Sequence, residues 1–239
     1  MLFDTEKLAA TGRLAASIAH EINNPLEAVQ NSLYLLSRSV PEGAPERSFL
    51  DIATRETQRM SRILRQMLGF YRPTTAMAPT DVNALVVEAE TLVSKRLRET
   101  GVRIEKELLP ALPLIRASAD QLKQVLLNLL LNATEAMPSG GRLIIATQTG
   151  GGELDAHSPD VVRIDVRDTG TGISEEAIAR IFEPFFSTKM EKGTGLGLWV
   201  SHGIVQAHGG TLKVRSRPGQ GTTFTITLPI AGPQDDGGQ

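Results

Sequence analysis

Cysteine is missing from the 239-residue chain, so neither a disulfide nor a thiolate-bound metal can contribute to its fold. The absence agrees with a reducing compartment. Also missing is any apolar run near the roughly 18 residues of a membrane span, and the N-terminus has no signal-peptide core. The chain is expected to be soluble and cytoplasmic, with no membrane segment of its own, although a longer parent protein could be anchored. A formal charge of −2 and a pI near 6.1 leave no basic footprint for nucleic acid. At about 100–200 residues per domain, the length suits one large or two small domains.

Residues 5–39 carry Leu8, Leu14, Ile18, Ile22, Leu26, Val29, Leu33 and Leu36 at gaps of mostly three and four, the stripe of a bundle helix. A turn follows at 40–46, and Leu50, Ala53, Met60, Ile63, Leu64, Met67 and Leu68 mark a second helix over 47–70. One hairpin cannot cover its own apolar stripe, so residues 1–72 are expected to dimerise into a four-helix bundle. The proline-bearing stretch 73–80 reads as a linker, 81–231 as a second domain, and 232–239 as a disordered tail. In the second domain Asp81 is placed to cap a helix reaching Glu99, with Gly101 ending it. Strands are expected at 102–108, 112–117, 143–149, 161–167, 211–216 and 222–228, and helices at 118–137 and 195–208. The Gly/Ser/Pro-rich loop at 150–160 is expected to be mobile. Helices segregated from a mostly antiparallel sheet give an α+β class, a two-layer α/β sandwich following the helical hairpin.

The helix over 118–137 is apolar nearly all round except for Gln124, Asn128, Asn132 and Glu135, which stack on one face. The stripe is either the wet side of a surface helix or the edge of a buried helix that meets a ligand. Amide oxygens suit Mg²⁺, which is held by few protein groups plus phosphates. Asp168-Thr-Gly170-Thr-Gly172 follows a strand and alone would be an ordinary turn. Read functionally, the carboxylate accepts from an exocyclic amine, which adenine carries where guanine presents a carbonyl, while the glycines let the backbone approach the base. Lys192-Gly193-Thr194-Gly195-Leu196-Gly197-Leu198 feeds a helix N-terminus, an anion site. It is neither a P-loop nor a dinucleotide fingerprint, and a lid over phosphates fits it better. Phe182, Phe185 and Phe186 are either core or a hinge for that lid.

His20 lies off the Leu14–Ile18–Ile22 stripe and so points away from the bundle core. Glu21 beside it can hold one ring N–H and make the other nitrogen more nucleophilic. Pro25 removes a helical hydrogen bond one turn later and should kink the helix. The other histidines, His157, His202 and His208, read as surface or core residues without chemistry.

In their order, the four C-terminal motifs resemble the N, G1, F and G2 boxes of sensor histidine kinases, whose catalytic domain shares its fold with the gyrase, Hsp90 and MutL ATPases (the Bergerat type). His20-Glu21-Ile-Asn-Asn24-Pro25 resembles the family's H box. The resemblance implies that Asn128 and Asn132 face Mg²⁺ and the phosphates of ATP, with both asparagines as metal ligands. It implies that Asp168 reads adenine, that Gly170, Gly172, Gly193, Gly195 and Gly197 shape pocket and lid, and that Thr194, Leu196 and Leu198 belong to the lid stretch. Lys189 and Lys192 become phosphate contacts, and Thr222 lies near the base. Glu135 departs from the pattern, since many members carry a basic residue about there.

His20 would be the phosphoacceptor, Glu21 its general base, and Asn24 the residue orienting water for dephosphorylation of a response regulator. The transfer asks the protein mainly for positioning and charge stabilisation. A homodimer, a response regulator receiver domain and an upstream sensor outside this chain are the implied partners, and the chain reads as the transmitter portion of a longer protein or a kinase fed by a separate sensor. A fold-sharing ATPase is the first rival: those enzymes place a water-activating glutamate one turn before the Mg²⁺ asparagine, and here that position is Asn128. A nucleotide-gated scaffold is the second, and intact His20, Asn132 and Asp168 oppose it.

Overall fold

The computed structural model describes residues 24–71, 77–150, 161–188 and 195–231. The chain divides into two compact units, Met1–Pro73 and Thr74–Gln239. In the first, helix α1 (24–39) turns back through residues 40–44 into α2 (Pro45–Tyr71). Pro45 suits the first helical position, where its missing N–H costs nothing. Arg47 pins the turn, its guanidinium donating to the carbonyls of Ser37 (2.7 Å) and Val40 (3.1 Å). Farther along, the Gln30 amide donates to the Thr57 carbonyl (3.1 Å) and to Ser61 Oγ (2.8 Å). Leu26 and Leu50 are buried, whereas Val29, Tyr34, Leu35, Leu36, Phe49, Ile52 and Met60 lie exposed.

The second unit is built on a five-stranded sheet in the order β2-β4-β5-β7-β6: β2 (Val102–Leu108), β4 (Gly141–Thr149), β5 (Val161–Asp168), β6 (Thr211–Ser216) and β7 (Thr222–Pro229). Only β2 and β4 run parallel. Three helices pack on the sheet: α3 (Val82–Thr100), α4 (Ala119–Glu135) and α6 (Gly197–Ala207). Asp81 caps α3 by accepting from the Ala84 amide, and Gly101 closes it in the left-handed region at φ 70°, a conformation glycine adopts without steric cost.

The sheet's inner face is set by alternation. Leu143 and Ile145 on β4, Val162, Ile164 and Val166 on β5, and Phe224, Ile226 and Leu228 on β7 are buried, and α4, which packs on β4 and β5, buries Val125, Leu126, Leu129 and Leu130. Each such side chain contributes about 1.5–3 kcal/mol by leaving water. The alternate residues run from half-buried, as at Ile144, Ala146, Thr223 and Thr225, to exposed, as at Arg167, and Asp165 is itself buried.

Two expectations are corrected here. Residues 78–80, placed in the linker on composition, form strand β1 (Ala78–Thr80), which pairs antiparallel with β3 (Ile115–Ala117). That β3 begins at Ile115 and not at 112 follows from Pro113, which has no N–H for a ladder, and from Ala111, left-handed at φ 57°. A single-turn helix, α5 (Glu175–Ile178), capped by Ser174, was not foreseen. Most of the 150–160 loop, the tail 232–239, and the first helix before residue 24 lie outside the described residues.

Candidate functional site

Asp168 ends β5 on the buried side of the strand, with 5% of its surface exposed. Its Oδ1 accepts two amides, from Gly170 (2.8 Å) and Thr222 (3.2 Å). Among the described residues no donor meets Oδ2. Burial pushes the carboxyl up from its ordinary value of 3.8, and the Gly170 and Thr222 amides pull the other way. The result is a carboxylate fixed by its backbone on one oxygen and left with acceptor capacity on the other.

Three backbone segments cross beside it. A Cβ on Gly170 would stand 2.6 Å from the Ala136 carbonyl, one on Gly172 2.0 Å from that of Arg217, and one on Gly221 2.0 Å from that of Asp168. Gly170 and Gly172 were expected to admit a base. They answer first to the protein's own backbone, which fills the space a side chain would need. The crossing is tied by the Thr171 amide donating to Ala136 (3.1 Å) and the Gly219 amide to Thr171 (2.7 Å).

On α4, Gln124, Asn128 and Asn132 are half-buried and Glu135 is exposed, so the polar stripe is largely covered and not a wet face. Asn128 reaches α6: its Nδ2 donates to Ser201 Oγ at 2.9 Å. Its Oδ1 would lie 2.4 Å from a Cβ on Gly197. Gly197 is thus small because α4 presses against the start of α6. Gly195, at φ 66°, is equally close to the Phe185 carbonyl carbon, 2.4 Å from a built Cβ, which seats the phenylalanine segment against the glycine stretch. Leu196 is buried and Leu198 half-buried.

The three phenylalanines do not form core. Phe182 stacks on His202 with ring centroids 4.9 Å apart, and Phe186 lies under the Arg180 guanidinium at 4.4 Å. Phe185 is 66% exposed and left-handed at φ 65°, an unusual state for a bulky residue.

Asn24 is exposed on α1. His20, Glu21, Lys189, Lys192, Gly193 and Thr194 lie outside the described residues. The structure therefore gathers Asp168, Gly170, Gly172 and Thr222 at one crossing of loops, and sets Asn128 against Gly197 where α4 meets the start of α6, with Gly195 just before it.

Sequence reasoning passed over three residues that hold this arrangement. Ser201 receives Asn128. Ser216 joins three chain segments next to Asp168. His208, fully buried after α6, donates from Nδ1 to the Ile204 carbonyl (2.8 Å) and accepts on Nε2 from the Ser118 amide at the start of α4 (3.0 Å). The amide can only donate, so the ring is neutral with its proton on Nδ1. Nothing in the sequence separates these serines from solvated ones.

His208 carries a pH consequence. Burial pushes its pKa below the ordinary 6.5, with the Ile204 bond opposing. Below 6.5 the unfolded chain takes up a proton that the folded ring resists, so stability is full above that value and declines as pH falls beneath it. Denaturant midpoints at pH 7.5 and 5.5 should show this loss, and His208→Gln should flatten it while lowering stability at both. His202, also pushed down by burial, keeps a remainder of the slope.

A mixed sheet with helices on one face, a buried carboxylate at a strand end and a glycine-bounded helix start define an ATPase-type nucleotide-binding module. Residues 117–232 match the family described as histidine kinase-, DNA gyrase B-, and HSP90-like ATPase, and residues 10–76 match the His Kinase A (phospho-acceptor) domain. The chain belongs to the histidine kinases, as a transmitter region. It is 38% identical to sensor histidine kinase ZraS of Escherichia coli K12 over 227 residues, 94% of this chain and 47% of that protein. The chain thus spans about half the length of that relative.

Among solved structures, the catalytic domain of histidine kinase ThkA aligns at 31% identity and a TM-score of 0.56, over 65% of this chain and 96% of that one. ThkA in complex with response regulator protein TrrA aligns at 26% and 0.64, over 95% and 64%. Full-length ShkA in complex with AMPPNP aligns at 29% and 0.73, over 92% and 46%.

Proposed function

We propose that this chain is the transmitter of a two-component system: an ATP-dependent autokinase that phosphorylates His20 and passes the phosphoryl group to an aspartate of a response regulator. The observation that carries the reading is the Asp168 carboxylate, buried and braced on one oxygen, in the same chain as a segment matching the phosphoacceptor domain. Asp168 Oδ2 accepts from the adenine amine. Glu21 draws the proton from one ring nitrogen of His20 while the other attacks. Asn24, exposed on α1, orients water for the reverse task, removal of phosphate from the regulator. Neither activity is read from ThkA's complex, but a regulator partner accords with it.

Mg²⁺ fits the donor set. Among the described residues no three His, Cys, Asp or Glu side chains cluster, as suits an ion that keeps waters and phosphates and takes one or two protein oxygens. Asn132 would supply its amide oxygen. Asn128, whose nitrogen is spent on Ser201, has its oxygen turned to the start of α6 and can serve as a second ligand. When bound, the ion neutralises charge developing on the phosphates. Lys189, Lys192 and the stretch from Gly193 to Leu198 complete the phosphate side. The exposed apolar residues of the hairpin favour a homodimer, since a lone pair of helices leaves them in water.

The test is incubation with γ-labelled ATP and Mg²⁺. Protein label should be acid-labile and alkali-stable and should disappear, by at least about a hundredfold given loss of the sole nucleophile, in His20→Gln. Acid-stable label, or undiminished label in the variant, would sink the autokinase; free phosphate without protein label would favour the ATPase.

A further inference from the structure

Ser216 occupies the end of β6, and its hydroxyl is engaged three times. It donates to the Gly221 carbonyl (2.8 Å), it accepts from the Ile173 amide (2.8 Å), and it lies 2.9 Å from Thr222 Oγ1. A hydroxyl has one hydrogen and two lone pairs. The Gly221 carbonyl can only accept, so the Ser216 hydrogen is committed there. The Ile173 amide fills one lone pair. The remaining contact must be received from Thr222, whose own hydrogen is thereby spent.

Thr222 is consequently polarised. Its amide is given to Asp168 Oδ1 at 3.2 Å, its hydroxyl hydrogen to Ser216, and its side chain keeps only acceptor capacity in a residue 4% exposed. Asp168, joined to the Thr222 amide through Oδ1, keeps Oδ2 as a further acceptor. A purine edge presented to these two oxygens is favoured if it carries an amine. It is opposed if it carries a carbonyl, because acceptor then faces acceptor in a site with little water.

We propose that Ser216 is a positioning residue that locks the Thr222 hydroxyl as an acceptor and so sets the site's preference for a 6-amino purine over a 6-oxo purine. The proposal rests on the reading of Asp168 as the adenine contact and deepens it. With Ser216 replaced by alanine, the Thr222 hydrogen is released, and the hydroxyl can turn to donate to a 6-oxo group.

Calorimetric titration of the full chain with ADP and with inosine diphosphate tests this without turnover. The unmodified chain should prefer ADP. In Ser216→Ala the ratio of the two dissociation constants should fall by about five- to tenfold, the worth of one buried hydrogen bond. A merely structural role would weaken both ligands alike and leave the ratio intact, and that result overturns the proposal. Should Ser216→Ala not fold, Thr222→Ser, which keeps the hydroxyl, must preserve the ratio, and Thr222→Val must reduce it. The proposal fails if the two behave alike. Failure of the underlying reading looks different: an unmodified chain that binds neither nucleotide, or both equally, removes the adenine contact and the proposal together.

Discussion

Asp168→Asn should abolish nucleotide binding while leaving the fold intact. Asparagine keeps an Oδ1 to accept the Gly170 and Thr222 amides (2.8 and 3.2 Å), so the crossing of loops around it persists. The second oxygen becomes an NH₂ whose hydrogens face the adenine amine, donor against donor, in a site that excludes water. Affinity for ADP should fall by about a hundredfold or more, with label on His20 falling in step and the denaturation midpoint nearly unchanged. Asp168→Ala separates the two roles: it orphans both buried amides and should also cost about 1–3 kcal/mol of stability for each. Unaltered ADP affinity in Asp168→Asn would overturn the adenine assignment.

Gly172→Ala should be strongly destabilising, as should Gly221→Ala, whose Cβ meets a carbonyl at the same 2.0 Å. At φ 71° the residue is left-handed, a strain of about 1–2 kcal/mol for an L side chain, and its Cβ would stand 2.0 Å from the Arg217 carbonyl oxygen. Backbone on both sides cannot yield as a flexible side chain would, and overpacking adds about 1–3 kcal/mol or more. The control is Gly219→Ala. Gly219 has nearly the same φ, 75°, but nothing lies within 4 Å of its Cβ, so only the conformational part is lost. Denaturant midpoints should separate the two by about 1–3 kcal/mol; equal losses would show that the clash is relieved by a loop shift.

How far the sequence discloses this molecule depends on how local each device is. The cap at Asp81 and the stop at Gly101 were legible because capping chemistry is settled within one helical turn. The strands β4 and β5 were legible because their apolar residues alternate over one buried face. Strand β1 was not, because Ala78–Thr80 has its partner at Ile115–Ala117, and three residues carry no pattern. The site shows the same divide. Asp168 and the asparagines announce themselves by type and spacing, whereas Ser201, Ser216 and His208 act through partners far away in sequence, such as Ser118 for His208. The glycines were noticed for a ligand and have a second reason within the protein. Motif reading credits them to the ligand, but at Gly170 and Gly172 a neighbouring carbonyl already claims the room.

Asn128 also bears on the ATPase alternative. A carboxylate at that position could pull a proton from water. An amide cannot, and here its nitrogen is committed to Ser201 and its oxygen pressed to Gly197. The residue is built into the joint between α4 and α6, where it offers an amide and no base.

The hairpin's bare apolar side chains give the two units different thermodynamics. The catalytic unit carries its core within itself, so dilution leaves its stability untouched. The helices leave Leu35, Leu36, Phe49 and Ile52 in water, and in the proposed dimer a second copy covers them, so their folding obeys mass action. A single melting temperature cannot then describe this chain: one transition would drift with protein concentration and the other stand still. For the proposed dimer, the concentration of the protein would set how much of the hairpin is folded at all.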